Sequence, residues 1–311
     1  MRFYLAPLEG VTNYIFRNAY HRHFERLDKY FTPFISTNQQ MSFSTRDMKE
    51  INPAHNAGLF VVPQILSNKA DDFVKTAEAI CAFGYDEINL NLGCPSNTVV
   101  SKNKGSGFLF HRDELNRFLE TIYSKATMKI SIKTRHGKYE HEEFYELVKI
   151  FNQYPLEELI IHPRITKDMY KNTPNLDVFG AVLGEIKAPV CYNGDIFSVA
   201  DFERITSRFP SVDTVMLGRG LVGNPGLVGR IKHGHAPSLE TVRSFHDELY
   251  EAYKEVMYGE RNVLYKMKEM WSYMFDMFDV SDKFAKKIRK CEHLSDYDAI
   301  VDAVFGEGEM R

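Results

Sequence analysis

Eight short runs rich in apolar and β-branched residues recur through this chain, and helix-like segments lie between most of them. The runs are Phe3 to Pro7, Tyr30 to Ser36, Leu59 to Leu66, Glu87 to Leu92, Lys129 to Thr134, Leu159 to His162, Val190 to Asn193 and Thr214 to Leu217. After the third, Phe73, Ala77, Ile80 and Cys81 share one helix face, which predicts a helix over Ala70 to Phe83. Alternating strand and helix is the pattern of βα units around a parallel sheet. Eight units in about 235 residues suit a (β/α)8 TIM barrel, and a doubly wound sheet rarely needs so many. Thr37 to Ala57, polar and rich in Asn, Gln and Ser, reads as an inserted loop or short helix over the mouth. Beyond His235-Ala236-Pro237 the alternation stops, and Val263, Met267, Met270 and Met274 follow helical spacing. The expected organisation is α/β: a barrel over 1–236, then a small all-helical domain over 237–311.

Composition narrows the class. The 311 residues are 44% hydrophobic with a formal net charge of −3, which suits one large core and gives no global attraction to nucleic acid. No apolar run reaches the length of a membrane span, and Met1-Arg2-Phe3-Tyr4-Leu5 enters a strand pattern at once. A cytoplasmic protein with no membrane partner is expected. Cys81, Cys94, Cys191 and Cys291 are too scattered for a disulfide framework or a zinc cluster, so reduced thiols and no metal are expected.

Polar groups collect where the runs end. Pro7-Leu8-Glu9-Gly10, Gln64, Asn91 and Cys94, Lys133 and Arg135, His162 and Arg164, Asn193-Gly194-Asp195 and Gly218-Arg219-Gly220 follow successive strands. Barrels build their sites at that rim. In Glu87-Ile88-Asn89-Leu90-Asn91-Leu92-Gly93-Cys94-Pro95-Ser96 the apolar residues alternate with two carboxamides, and a Gly-Cys-Pro turn sets a thiol just past the strand. The two glycine turns after the last strands are where barrels often hold a phosphate on backbone amides. Ser96 to Phe108, with Lys102, Lys104, Gly105 and Gly107, reads as a lid or as a solvated loop.

The chain resembles the dihydrouridine synthases, flavin-dependent enzymes that reduce uridines in transfer RNA. The resemblance is carried by Ala6-Pro7-Leu8-Glu9-Gly10-Val11-Thr12-Asn13 with Phe16-Arg17, by Asn89 to Ser96, by Lys133-Thr134-Arg135-His136-Gly137, by Asn193-Gly194-Asp195, and by Gly218-Arg219-Gly220 with Asn224-Pro225. It implies a barrel holding FMN, a helical domain gripping the RNA, and NADPH as reductant. Pro7, Leu8 and Glu9 would line the flavin, Gln64 and Lys133 would hydrogen-bond its ring, and His162, Asn193, Gly194, Asp195, Gly218 and Arg219 would hold the phosphate side. Lys133 would also favour negative charge on the reduced ring. Two departures stand out: His162-Pro163-Arg164 replaces the family's His-Gly-Arg, and Leu8 stands where a methionine is usual.

Reducing the uracil double bond needs a proton delivered to carbon 5, and a thiol with an ordinary pKa near 8.5 is still protonated at neutral pH. Cys94 is the expected catalytic acid, with Asn91 and Arg135 reading the uracil edge and a neighbouring phosphate. Lys266 and Lys268, in a helix with Trp271 and Tyr273, are expected to face the RNA, and Lys283, Lys286, Lys287, Arg289 and Lys290 form the densest basic run. Ribosomal RNA is an alternative substrate, and a barrel flavoenzyme acting on a small pyrimidine and a non-catalytic RNA-binding relative are the competing readings. A monomer is expected.

Overall fold

The computed structural model describes residues 1–37, 42–279 and 282–310. Its main sheet contains β1 (Arg2–Leu5), β2 (Lys29–Phe31), β3 (Ile35–Ser36), β4 (Val61–Val62), β5 (Gln64–Leu66), β6 (Glu87–Leu92), β7 (Lys129–Gly137), β8 (Leu159–Ile165), β9 (Val190–Asn193) and β10 (Thr214–Leu217). Pro33 separates β2 from β3 and Pro63 separates β4 from β5; proline has no N–H for a ladder, so each pair is one stave in two pieces. All pairings within this sheet are parallel. They run from β1 to β2, β2 to β4, β3 to β5, β5 to β6, and onward in sequence to β10, which returns to β1. Each of the eight runs read from the sequence is therefore a stave, and the circuit closes as expected of a barrel.

Contacts between staves that are not neighbours mark the interior. Lys29 Nζ on β2 lies 2.7 Å from Glu87 Oε2 on β6, and Tyr4 on β1 donates to Glu158 Oε1, beside β8, at 3.0 Å. Half of this interior is apolar: Tyr4, Ala6, Phe31, Val62, Ile160, Cys191 and Met216 form one buried cluster. The other half is polar, because β6 and β7 point Glu87, Asn89, Asn91 and Ser131 inward. Strand periodicity sends Ile88, Leu90 and Leu92 the opposite way, where all three are fully buried. The helix Ala70–Cys81 buries Phe73, Ala77 and Ile80 on the face the spacing predicts. Phe73 meets Phe118 of the helix Arg112–Lys125 edge-on at 5.9 Å.

Packing groups the chain into two compact units. Met1–Glu9, Asp28–Asp195 and Ile205–Leu217 make the first, which holds every stave; Gly10–Leu27, Ile196–Arg204 and Gly218–Arg311 make the second. In the second unit the helix Tyr14–His23 starts at Asn13, whose side chain accepts from Phe16 N. Phe16 and Phe24 meet Phe245 of the helix Leu239–Val256 edge-on. Val263, Met267, Met270 and Met274 are buried along the helix Glu260–Met274, as their spacing predicts. Of the insertion over Thr37 to Ala57, residues 38–41 lie outside the described residues; the remainder includes a short helix, Thr45–Ile51. Among the described residues no helix is long and apolar enough to cross a membrane.

Burial pushes the Glu158 carboxyl up to about 7, with Lys29 pulling the other way. A carboxyl whose folded pKa exceeds its unfolded value contributes stability that is complete below the unfolded value of 4.5 and is lost as pH rises through about 7. Glu158→Gln should flatten the pH dependence of urea unfolding across that window, removing a change on the order of 1–3 kcal/mol. An unaltered slope would contradict it.

Candidate active site

The turn after β6 is built from both sides. Asn91 Oδ1 accepts from the backbone N–H of Gly93 at 3.0 Å and of Cys94 at 2.9 Å. The Cys94 carbonyl accepts from Ser106 N at 3.1 Å and Ser106 Oγ at 2.9 Å. Gly105 takes φ +55, and a Cβ there would sit 2.8 Å from the same carbonyl, so the position requires glycine. The segment Ser96 to Phe108 divides in two. Gly105 to Leu109 are buried and brace the thiol turn, while Asn97, Thr98 and Ser101 to Asn103 are exposed, as in the solvated-loop reading.

One cavity in the first unit brings together Pro7, Leu8, Glu9, Gln64, Asn91, Cys94, Lys133, Arg135 and His162, with Pro33, Phe34 and Tyr170 completing the wall. Asn193, Gly194 and Asp195 close β9 without lining it: Asn193 Nδ2 donates to the Met216 carbonyl at 2.8 Å. Asp195 receives both terminal nitrogens of Arg164. Gly218 and Arg219 belong to the second unit, where Arg219 begins the helix Arg219–Gly223 and lies over the Phe197 ring at 5.3 Å.

Burial acts on the two central groups with opposite charge logic. It raises the Cys94 thiol above its ordinary range, outweighing the pull of the Ser96 amide and Arg135, so the thiol keeps its proton at neutral pH. It lowers the Lys133 ammonium to about 8, with Arg135 adding repulsion. Lys133 makes no ion pair or hydrogen bond among the described residues.

Arg135 does not present its charge to the cavity in the way the sequence suggests. It is 1% exposed, and it donates from Nε to the Gly93 carbonyl, from Nη1 to Ile165 and from Nη2 to Met169 at 2.8–2.9 Å. Met169 holds a left-handed φ of 53, unusual without glycine, so Arg135 pins a strained loop to the thiol turn. His162 Nε2 lies 3.0 Å from Arg164 Nη1; because a guanidinium only donates, that nitrogen is the acceptor. Arg164, read at the rim two residues from His162 and so on the same strand face, holds Asp195, and Ser106 holds the thiol turn; neither is assigned a site role by the sequence reading.

In the second unit, Lys266 is buried against the Gly10 carbonyl and Glu269, and Lys268 donates to the Cys291 carbonyl. Both thus spend their ammonium groups on partners within the unit, where the sequence reading has them face the RNA. Trp271 is likewise core, its Nε1 donating to Tyr297 Oη at 2.9 Å. On the helix Asp282–Lys290, by contrast, Lys283, Lys286, Lys287, Arg289 and Lys290 are all exposed.

The family model described as dihydrouridine synthase matches residues 4–307. The tRNA-dihydrouridine synthase B of Pasteurella multocida is 30% identical over 227 residues, covering 73% of this chain and 67% of its own. A probable tRNA-dihydrouridine synthase of Staphylococcus epidermidis is 28% identical over 262 residues, covering 81% and 78%. Among solved structures, histamine dehydrogenase from Rhizobium sp. 4-9 matches with TM-score 0.60 at 11% identity over 89% of this chain and 51% of its own. A morphinone reductase variant in complex with tetrahydroNAD matches with TM-score 0.52 at 13% identity over 77% and 89%. The structural likenesses show the barrel fold.

Arg135→Lys keeps the charge but cannot satisfy three carbonyls in a fixed fork. It should destabilise the protein by about 2–4 kcal/mol, since buried acceptors lose their donors. Urea denaturation of the two proteins checks this, and equal stability would mean the fork is dispensable.

Proposed function

This chain belongs to the dihydrouridine synthase family, and from that premise we propose that it reduces the carbon 5–carbon 6 double bond of uridines in tRNA, in the cytoplasm, with FMN as flavin and NADPH as reductant. The observation that carries this reading is the meeting of a protonated thiol, Cys94, with an enclosed cation, Lys133, in one cavity. FMN suits these residues: an ammonium with no carboxylate partner among the described residues favours an anionic group, and the carboxamides of Gln64 and Asn91 beside it offer hydrogen bonds to a polar ring edge. Lys133, Gln64 and the wall of Pro7, Leu8 and Glu9 would hold the ring, and His162, Asn193, Gly194 and Asp195 would serve the phosphate side. When bound, the flavin supplies the hydride that uracil carbon 6 accepts. Cys94 gives its proton to carbon 5, and burial of the thiol supports that role by keeping it neutral until the proton is needed. Arg135 acts by positioning, through the Gly93 carbonyl. The helices of 237–311 grip the RNA, with the exposed cations of Asp282–Lys290 meeting phosphates.

Cys94→Ala should still bind FMN and accept electrons from NADPH, while dihydrouridine formation in tRNA falls by a factor of about 100 to 10,000, read by nucleoside mass spectrometry. Near-normal product would count against Cys94 as the acid. FMN retention should weaken as pH rises through about 8, where Lys133 loses its charge, and Lys133→Met should erase that dependence. Charge reversal at Lys286, Lys287 and Lys290 should weaken tRNA binding and lower its salt slope by roughly one counterion per lost phosphate contact. If affinity and slope stay unchanged, the small-pyrimidine reading gains.

A further inference from the structure

The thiol turn stands at one end of a continuous hydrogen-bond chain that descends through the polar half of the barrel. The Gly93 and Cys94 amides donate to Asn91 Oδ1. Asn91 Nδ2 donates to Gln64 Oε1 at 2.6 Å, Gln64 Nε2 to Asn89 Oδ1 at 2.7 Å, and Asn89 Nδ2 to Ser131 Oγ at 2.9 Å. Ser131 Oγ donates to Glu87 Oε1 at 2.7 Å, and Lys29 Nζ donates to Glu87 Oε2 at 2.7 Å. The backbone amides at the upper end can only donate, and an ionised carboxylate at the lower end can only accept. Every carboxamide and hydroxyl between them passes one bond along, so the chain has a single consistent direction. Gln64, Asn89 and Ser131 are fully buried and Glu87 nearly so, and a reversed link would set two donors or two acceptors face to face.

We propose that Glu87, far from the cavity, is a positioning residue for Cys94: its carboxylate sets the direction of the chain and thereby makes Asn91 an acceptor for the amides that hold the thiol turn. The catalytic meaning of this role rests on the reading of Cys94 as proton donor; the structural claim does not. Lys29 makes the effect testable. In Glu87→Gln, Lys29, whose other acceptor Glu158 Oε2 is 4.0 Å away, keeps the nearer amide oxygen, which turns the amide NH2 toward Ser131 and leaves the Ser131 hydroxyl hydrogen without its acceptor at that end of the chain. In the double variant Lys29→Met with Glu87→Gln, nothing claims that oxygen, and the amide can rotate it back to Ser131.

The experiment is alkylation of the purified protein by iodoacetamide over a range of pH, with each cysteine followed by mass spectrometry. Cys81, half-buried at the end of the helix Ala70–Cys81, serves as internal reference. Glu87→Gln should change the Cys94 rate by about two- to tenfold, the effect of losing one hydrogen bond at the turn, and leave Cys81 unchanged. The double variant should return Cys94 close to the wild-type profile although the ion pair is gone. A role confined to packing requires the double variant to lie as far from wild type as the single one, or farther; a role confined to charge balance also returns in the double variant but leaves Ser131→Ala, which keeps the ion pair, at the wild-type Cys94 rate, and that result overturns the proposal. A folded Glu87→Gln protein with the wild-type Cys94 profile, or a double variant that does not return, overturns the proposal. If circular dichroism shows that Glu87→Gln does not fold, Ser131→Ala, which cuts the chain but keeps the ion pair, must alter the Cys94 rate; a wild-type rate there overturns it equally. Return in the double variant, combined with dihydrouridine formation by Cys94→Ala, would uphold the positioning chain and reject the proton-donor reading.

Discussion

The buried ion pair between Lys29 and Glu87 is the constraint on which the interior of this barrel depends. Removing two charges from water is costly, and the attraction between them compensates only where further hydrogen bonds satisfy the remaining lone pairs. Ser131 meets that condition at Glu87, and Tyr4 occupies the neighbouring Glu158 carboxylate. Barrel interiors are usually filled with branched apolar side chains. Here that packing is confined to one side, where Tyr4, Ala6, Phe31, Val62, Ile160, Cys191 and Met216 meet, and β6 and β7 are left to carry carboxamides and a hydroxyl inward.

From that floor the polar half of the barrel leads upward to the cavity. Each element of the thiol turn is restrained by a different part of the chain: Asn91 from below, Ser106 and Gly105 from the following segment, and Arg135 from β7 through the Gly93 carbonyl. Under the role proposed for Cys94, rigid placement matters because an acid must meet its target atom within hydrogen-bond reach. The same burial that keeps Cys94 protonated lowers the Lys133 ammonium, so one environment favours the neutral form of both groups.

The second unit shows one residue type in two roles. Lys266 and Lys268 use their ammonium groups on carbonyls inside the unit, whereas Lys286, Lys287 and Lys290 extend into solvent from a helix that buries only Ile288 among its described side chains. Exposure decides which cations can exchange counterions for phosphates, and a count of basic residues does not.

Period and punctuation made the architecture legible. Strand runs bounded by Gly and Pro, helical spacing at Phe73, Ala77 and Ile80, and polar residues at strand ends are local signals, so eight staves and nine of the cavity-lining residues could be read from the order of amino acids alone. The sequence could also show that Asn89 and Asn91 share a face, because strand side chains alternate with period two. What lies opposite that face could not be read: Gln64 and Ser131 come from β5 and β7, and Lys29 reaches Glu87 across the interior. Arg135, Lys266 and Lys268 looked like free cations for the same reason, since their partners, apart from Glu269 at Lys266, are carbonyls, which every residue carries and no sequence pattern marks. Closing the barrel decided which of these polar groups satisfy one another and which, as with Lys133, are left facing the cavity, because hydrogen bonds depend on distances that only the folded chain sets.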